Sequence, residues 1–181
     1  VYYLTPLIND ISNIRISNGQ AISPHQIHFN IKEPEIFELT VNFDKFQYNR
    51  FVNQYYHLES NVPNKYNYIL SNSLLKNFIY ENSPRNIESE AKSLAEHLPV
   101  IENDNAINNL LDVLKQEVHK DFFGIKYLKN CIIYLHGKLP DIIKEYLESK
   151  FKEISSIKFL VANSVILEGI NLPIDSLFIL N

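Results

Sequence analysis

Four short apolar runs constrain this chain more than any other feature: NFIY (77–80), CIIYL (131–135), IKFLVA (157–162) and SLFIL (176–180). Runs of this length without polar alternation belong to strands buried on both faces, as in a parallel sheet covered by helices. Between them the apolar period lengthens to that of a helix. Ile87, Ala91, Leu94, Ala95 and Leu98 recur at helical spacing, as do Ile107, Leu110, Leu111, Leu114 and Val118. The first of these helices starts at Ser83-Pro84, where Ser83 can cap and Pro84 loses nothing by lacking an N–H. A third helix follows Pro140-Asp141, with Ile142, Ile143, Tyr146, Leu147 and Phe151 as its apolar face and a Lys144–Glu148 pair one turn apart on the other side. Strands alternating with helices predict an α/β fold with a mostly parallel sheet flanked by helices.

The chain reads differently before position 77. Residues 1–34 are mixed and turn-rich, with a turn at Asn18-Gly19, and read as a connector with short strands. EIFELTVNF then puts Phe37, Leu39, Val41 and Phe43 on one parity, the pattern of a half-buried strand, and NRFVNQYYHLE reads as a second strand.

Composition narrows the function classes. With 17 Lys+Arg against 21 Asp+Glu over 181 residues, no global basic field advertises a polyanion, so such a partner must be held by local groups. No run approaches the ~18–20 apolar residues of a membrane span. The single cysteine, Cys131, sits in an apolar strand as a small hydrophobe, which fits a cytoplasmic protein. The absence of Met makes Val1 an improbable translation start, so both ends read as possible fragment boundaries. Metal binding has little support: His25 and His28 are three residues apart, with no Cys or carboxylate cluster to complete a site.

In parallel α/β sheets ligands meet the carboxyl ends of strands, which directs attention to the turns ENSPRN, HGKLP and NSVILEGINLP. Ser83, Arg85 and a helix N-terminus could hold a phosphate, or could be a capped helix start beside a solvated arginine. His136 and Lys138 around Gly137 suit an anion contact or a base-stacking surface, and suit a plain exposed turn as well. In the third turn Asn163 and Ser164 offer donors and Gly169 allows close backbone approach to a ligand. The same residues could also be a short helix capped by Gly169 and stopped by Pro173.

Taken in order, these segments resemble known motifs. FLVANSVILEGINLP resembles motif V of superfamily 2 helicases of the DExH branch, NFIYENSPRNIESEAKSLAEHL looks like motif IV and its helix, and LHGKLPDIIKEYLESKF is similar to the His-Gly, Leu-Pro segment and helix between them. The resemblance covers about 77–181, with YYLTPLIND similar to the end of a first motor domain. It implies a RecA-like second motor domain over 61–181, preceded over 1–60 by a remnant of the first domain and the connector. It also implies that Ser83, Arg85, His136, Gly137, Asn163 and Ser164 contact a DNA or RNA single strand, and that Gly169, Asn171 and Glu168 face an ATP site shared with the first RecA-like domain of the same parent chain. Asn163 stands where the family usually has threonine, so a hydroxyl contact becomes an amide contact.

ATP and Mg2+ are expected cofactors of the full-length protein and not of this fragment. The chain has no Gly-x-x-x-x-Gly-Lys-Ser/Thr loop, no DExH and no paired-arginine motif, so by itself it is expected not to hydrolyse ATP. Two other classes compete: a non-catalytic helicase-like module that binds nucleic acid or protein, and an unrelated nucleotide-binding α/β enzyme.

Overall fold

The computed structural model of the protein describes residues 34–163 and 172–180. The chain divides into two compact units, Val1–Ile36 and Phe37–Asn181, and the second carries all the elements below save the first residue of β1.

Three strands, β1 (Ile36–Leu39), β2 (Lys45–Asn49) and β3 (Gln54–Glu59), form a small sheet in that order. β2 and β3 are antiparallel, with Phe46 opposite His57 and Tyr48 opposite Tyr55. The ring centroids of those pairs lie 5.2 and 5.1 Å apart, the cross-strand contact that stabilises a narrow ladder. The strand expected through Phe43 ends at Leu39. Thr40 closes a turn instead: its N–H donates to the Asp44 carbonyl at 3.0 Å and its hydroxyl accepts from the Asp44 N–H at 3.2 Å. Such local bonds compete with a ladder, and they leave Val41 in solvent and Phe43 at φ 60°. The second expected strand is likewise shorter. Asn49-Arg50-Phe51-Val52-Asn53 makes the β2–β3 turn, held by the Phe51 N–H on Asn49 Oδ1 at 3.0 Å and the Tyr48 hydroxyl on Asn53 Oδ1 at 2.8 Å.

Helix α1 (Lys65–Ser71) follows, its N-terminus capped by Asn64, which accepts from the Asn67 N–H at 2.9 Å. The α/β unit comprises β4 (Asn77–Glu81), α2 (Pro84–Ala95), α3 (Asn105–Glu117), β5 (Ile132–Leu135), α4 (Asp141–Glu153), β6 (Phe159–Ala162) and β7 (Ser176–Leu180). Its four strands pair in the order β5-β6-β4-β7 and every pairing is parallel. This is the α/β architecture the apolar runs predict.

Helices cover both faces of the sheet, so alternate residues of each central strand feed different cores. Phe78, Ile133, Leu135, Leu160 and Ala162 pack on one side with Ile107, Leu110 and Leu114 of α3 and with Leu147 and Phe151 of α4. Ile79, Ile132, Tyr134, Phe159 and Val161 pack on the other with Ile69 of α1 and with Ile87, Ala91 and Leu94 of α2. Cys131 is buried, as a small hydrophobe should be, and adopts φ 63° as the chain turns into β5.

Three details depart from the sequence reading. β7 is not buried on both faces: Leu177 and Ile179 point into solvent at this outer position of the sheet. On α4, Ile142 is 76% exposed, and Lys144 pairs with Asp141 at 2.6 Å rather than with Glu148. Glu148 is itself buried on the core side of the helix, where burial pushes its carboxyl upward. Ser83 occupies the N-cap position of α2 but makes no side-chain cap bond.

The amino edge of the sheet is tied by Lys76. Its buried ammonium donates to the carbonyls of Phe151, Ile154 and Ile157 at 2.5, 2.7 and 2.6 Å, satisfying the open end of α4. Its backbone N–H donates to Asp175 Oδ2 at 2.9 Å, while its carbonyl accepts from the Asp175 N–H at 2.8 Å. Replacing Lys76 with Met keeps the length of the side chain and strands the buried carbonyls of Phe151 and Ile157, while the Ile154 carbonyl keeps the Ile157 N–H at 3.2 Å. The expected cost is roughly 3 kcal/mol of unfolding free energy, read by urea denaturation.

Helices α1 and α2 are tied by one ion pair, Lys65 Nζ to Glu90 Oε2 at 2.7 Å. Burial pulls Lys65 down, but the hydrogen bond and charge of Glu90 outweigh it and the ammonium ends above its ordinary range. Lys65→Met would leave the buried Glu90 without a cation. The variant is expected to lose about 1–3 kcal/mol of stability in the same assay, and Lys65→Met/Glu90→Gln to recover part of it.

Candidate nucleic-acid interface

The register of the parallel sheet sets the carboxyl ends of three strands level. Leu135 of β5 and Tyr80 of β4 both lie opposite Ala162 of β6. The residues that follow, His136, Asn163 and Glu81-Asn82-Ser83, therefore stand along one edge at successive strand spacings of about 4.8 Å. Motifs 27 to 80 residues apart in sequence become neighbours by register alone. Ser164, Glu168, Gly169 and Asn171 lie outside the described residues.

At the β4 end, the chain turns sharply into α2. The Glu81 side chain is buried and folds under this turn, where Oε1 accepts from the Ser83 N–H and from the Asn86 side-chain amide, each at 3.3 Å. The Tyr80 hydroxyl donates to Asn82 Oδ1 at 2.6 Å, stiffening the same turn. A resident carboxylate thus already uses the favourable potential at the α2 N-terminus. Arg85 is exposed one residue into the helix, forms no ion pair among the described residues, and is the group here with free capacity for a phosphate.

The β5 end presents His136, half-buried, followed by exposed Gly137 and Lys138. His136 Nδ1 accepts the Lys138 N–H at 3.2 Å, and the His136 carbonyl accepts the Leu139 N–H at 3.1 Å, which closes the turn before Pro140 and α4. The imidazole stacks on Phe123, with centroids 5.1 Å apart and planes within 10°. Burial, and secondarily the Lys138 charge, hold its pKa below the ordinary histidine value, with Glu88 of α2 opposing.

The β6 end carries Asn163, whose Oδ1 is buried without a hydrogen-bond partner among the described residues. An amide oxygen left unpaired at a strand end costs free energy until a donor meets it. Threonine, usual at this place in the resembled family, would leave a smaller polar group.

Sequence reading missed Glu81 and Phe123. Glu81 is the last residue of an apolar strand and looks solvent-directed in the sequence; only its fold under Ser83 gives it a role. Phe123 lies in DFFGIKY, which has neither strand nor helix period, inside a one-turn 3-10 segment, Phe123–Ile125. A Cβ at Gly124 would meet the Phe122 ring at 2.5 Å, so glycine there leaves room for that ring to pack over the turn.

Among the described residues no group of three His, Cys, Asp or Glu side chains could hold a metal ion, and no helix is long and apolar enough to cross a membrane. A comparison with known proteins finds no family model that matches the chain and no match among curated proteins.

The depressed His136 pKa carries a sign. In the unfolded chain histidine titrates near 6.5, so between that value and the lower folded one the unfolded state binds more protons. The His136 contribution to stability is complete above about pH 6.5 and is lost as pH falls through the folded pKa. Urea midpoints taken from pH 7.5 down to pH 5 are expected to fall, and to fall less in His136→Gln.

Proposed function

We propose that this chain is the second motor domain of an ATP-dependent superfamily 2 helicase or translocase, and that its part is to hold a nucleic-acid strand along the carboxyl edge of the sheet. The observation that carries the reading is the level register of β4, β5 and β6, which sets the residues after Tyr80, Leu135 and Ala162, namely Glu81, His136 and Asn163, side by side. A strand passing over that edge meets Arg85 and Ser83, then Asn163, then His136 and Gly137. These are loop-tip hydroxyl, amide, imidazole and backbone donors with one cation. Such a set grips phosphates without a basic domain, which suits the net charge of −4.

ATP with Mg2+, bound between this domain and a first RecA-like domain, supplies the free energy that closes and reopens the pair. Gly169, Asn171 and Glu168 are this chain's proposed contribution to that site. Isolated, the domain is expected to bind a single strand weakly and not to hydrolyse ATP, because half of the track and the phosphate-activating groups belong elsewhere.

A non-catalytic binding module is the second reading. It is favoured by Glu81, whose carboxylate sits where an incoming phosphate would use the α2 N-terminus, and by the amide at Asn163.

The test is ATP hydrolysis by the full-length protein with and without single-stranded oligonucleotides. Strand-stimulated hydrolysis is expected. Asn163→Ala should raise the oligonucleotide concentration for half-maximal stimulation about tenfold, the equivalent of one good polar contact. Strand binding without any hydrolysis selects the module, and absence of both overturns the nucleic-acid reading altogether.

A further inference from the structure

His136 is held by two contacts that together define its chemistry. Lys138 donates its N–H to Nδ1 at 3.2 Å, and a ring nitrogen that accepts cannot carry a proton. Phe123 lies flat against the imidazole, 5.1 Å between centroids and 10° between planes, which fixes the ring's rotation. Phe123 is anchored in turn: its carbonyl accepts the Tyr134 hydroxyl at 2.8 Å, and its ring contacts Phe122 and Tyr134 at 4.9 and 5.7 Å. Tyr134 is a fully buried residue of β5, so the stack is referenced to the sheet itself. The charged groups around the imidazole are Lys138 on its own turn and Glu88 on α2, the latter 3.8 Å from Lys126.

We infer that Phe123 is a positioning residue for His136: its stacked ring and the Lys138 amide together hold the imidazole as a neutral Nε2–H donor to a phosphate oxygen of a bound single strand. The nucleic-acid half of this inference rests on the function proposed above; the state of the imidazole does not. A neutral donor orients the backbone and releases no counterion, so its contact adds affinity without adding to the salt dependence of binding. Phe123 touches no substrate in this scheme and acts only through the histidine.

The test has two arms. In the first, imidazole nitrogen NMR on the whole chain follows His136 from pH 5 to pH 8. The wild-type ring is expected as the Nε2–H tautomer at pH 7.5, with a titration midpoint below that of an exposed histidine. Phe123→Ala should mix the tautomers and raise the midpoint, and Phe123→Tyr should restore both. A wild-type Nδ1–H tautomer overturns the inference and needs no variant, so a Phe123→Ala chain that fails to fold does not protect it. An unchanged midpoint and tautomer in a folded Phe123→Ala chain overturn it as well.

In the second arm, a labelled oligonucleotide is titrated at pH 7.5 over a range of salt. Phe123→Ala should weaken binding about fivefold with the salt slope unchanged, and Phe123→Tyr should recover the loss. A slope reduced by about one would mean that a charged contact was lost, and would overturn the neutral-donor assignment. If the tautomer and midpoint behave as stated while the chain binds no oligonucleotide, the positioning role stands and the nucleic-acid reading is what fails.

Discussion

A single buried ammonium organises the amino edge of this α/β unit. Lys76 bonds the carbonyls of Phe151 and Ile154 at the end of α4 and of Ile157 in the turn before β6, and its own backbone exchanges hydrogen bonds with Asp175 just before β7. A lysine so placed is costly: burial depresses its pKa, with Asp175 only partly compensating. The charge persists there because the helix end offers concentrated negative potential, and because no water can replace those bonds once the helix packs on the sheet. Through that one residue, side chain and backbone together, α4, β4 and β7 take a common reference. Since β4 pairs with both β6 and β7, the reference passes along the sheet to its opposite edge.

The carboxyl edge is built on the opposite principle. Its backbone is well held, but several of its polar groups are not fully used. Arg85 has no ion pair among the described residues, and His136 Nδ1 is committed to Lys138, which leaves Nε2 as a donor; Asn163 Oδ1, buried with no partner among the described residues, is an acceptor and calls instead for a donor. A rigid edge with spare donors is what the proposed role, gripping a backbone that carries regular acceptors, would require. Glu81 works against this at one place, and its carboxylate sets a limit on how much anion the start of α2 can hold.

Much of the α/β unit was legible beforehand. NFIY, IIYL and FLVA are strands because burial on both faces of a sheet leaves an unbroken apolar record; SLFIL is a strand as well, although Leu177 and Ile179 meet solvent, and the helical faces of α2 and α3 are those their periods predict. The antiparallel sheet was harder. Its alternation runs on through Thr40 and Val41, yet the side chain of Thr40 closes a turn there. Side-chain-to-backbone bonds of this kind leave the pattern of apolar residues untouched, so periodicity cannot reveal them. Helix α1, with one fully buried residue, Ile69, writes almost no pattern at all. Similarly, the Lys144–Glu148 spacing suited a surface pair, but the rotation of α4 against the core buries Glu148 and turns Lys144 toward Asp141.

What the sequence determined by itself is the class of fold and the places where chemistry could sit: apolar runs select a covered parallel sheet, and the polar residues that directly follow β4, β5 and β6 start at its carboxyl edge. What only the tertiary structure decided is who neighbours whom. That Tyr80 and Leu135 meet the same Ala162, that Glu81 folds under Ser83, and that Phe123 lies flat on His136 are outcomes of strand register and packing. Register is a relation between segments far apart in the chain, set by how two cores fill on opposite sides of one sheet, and no local stretch of residues carries it.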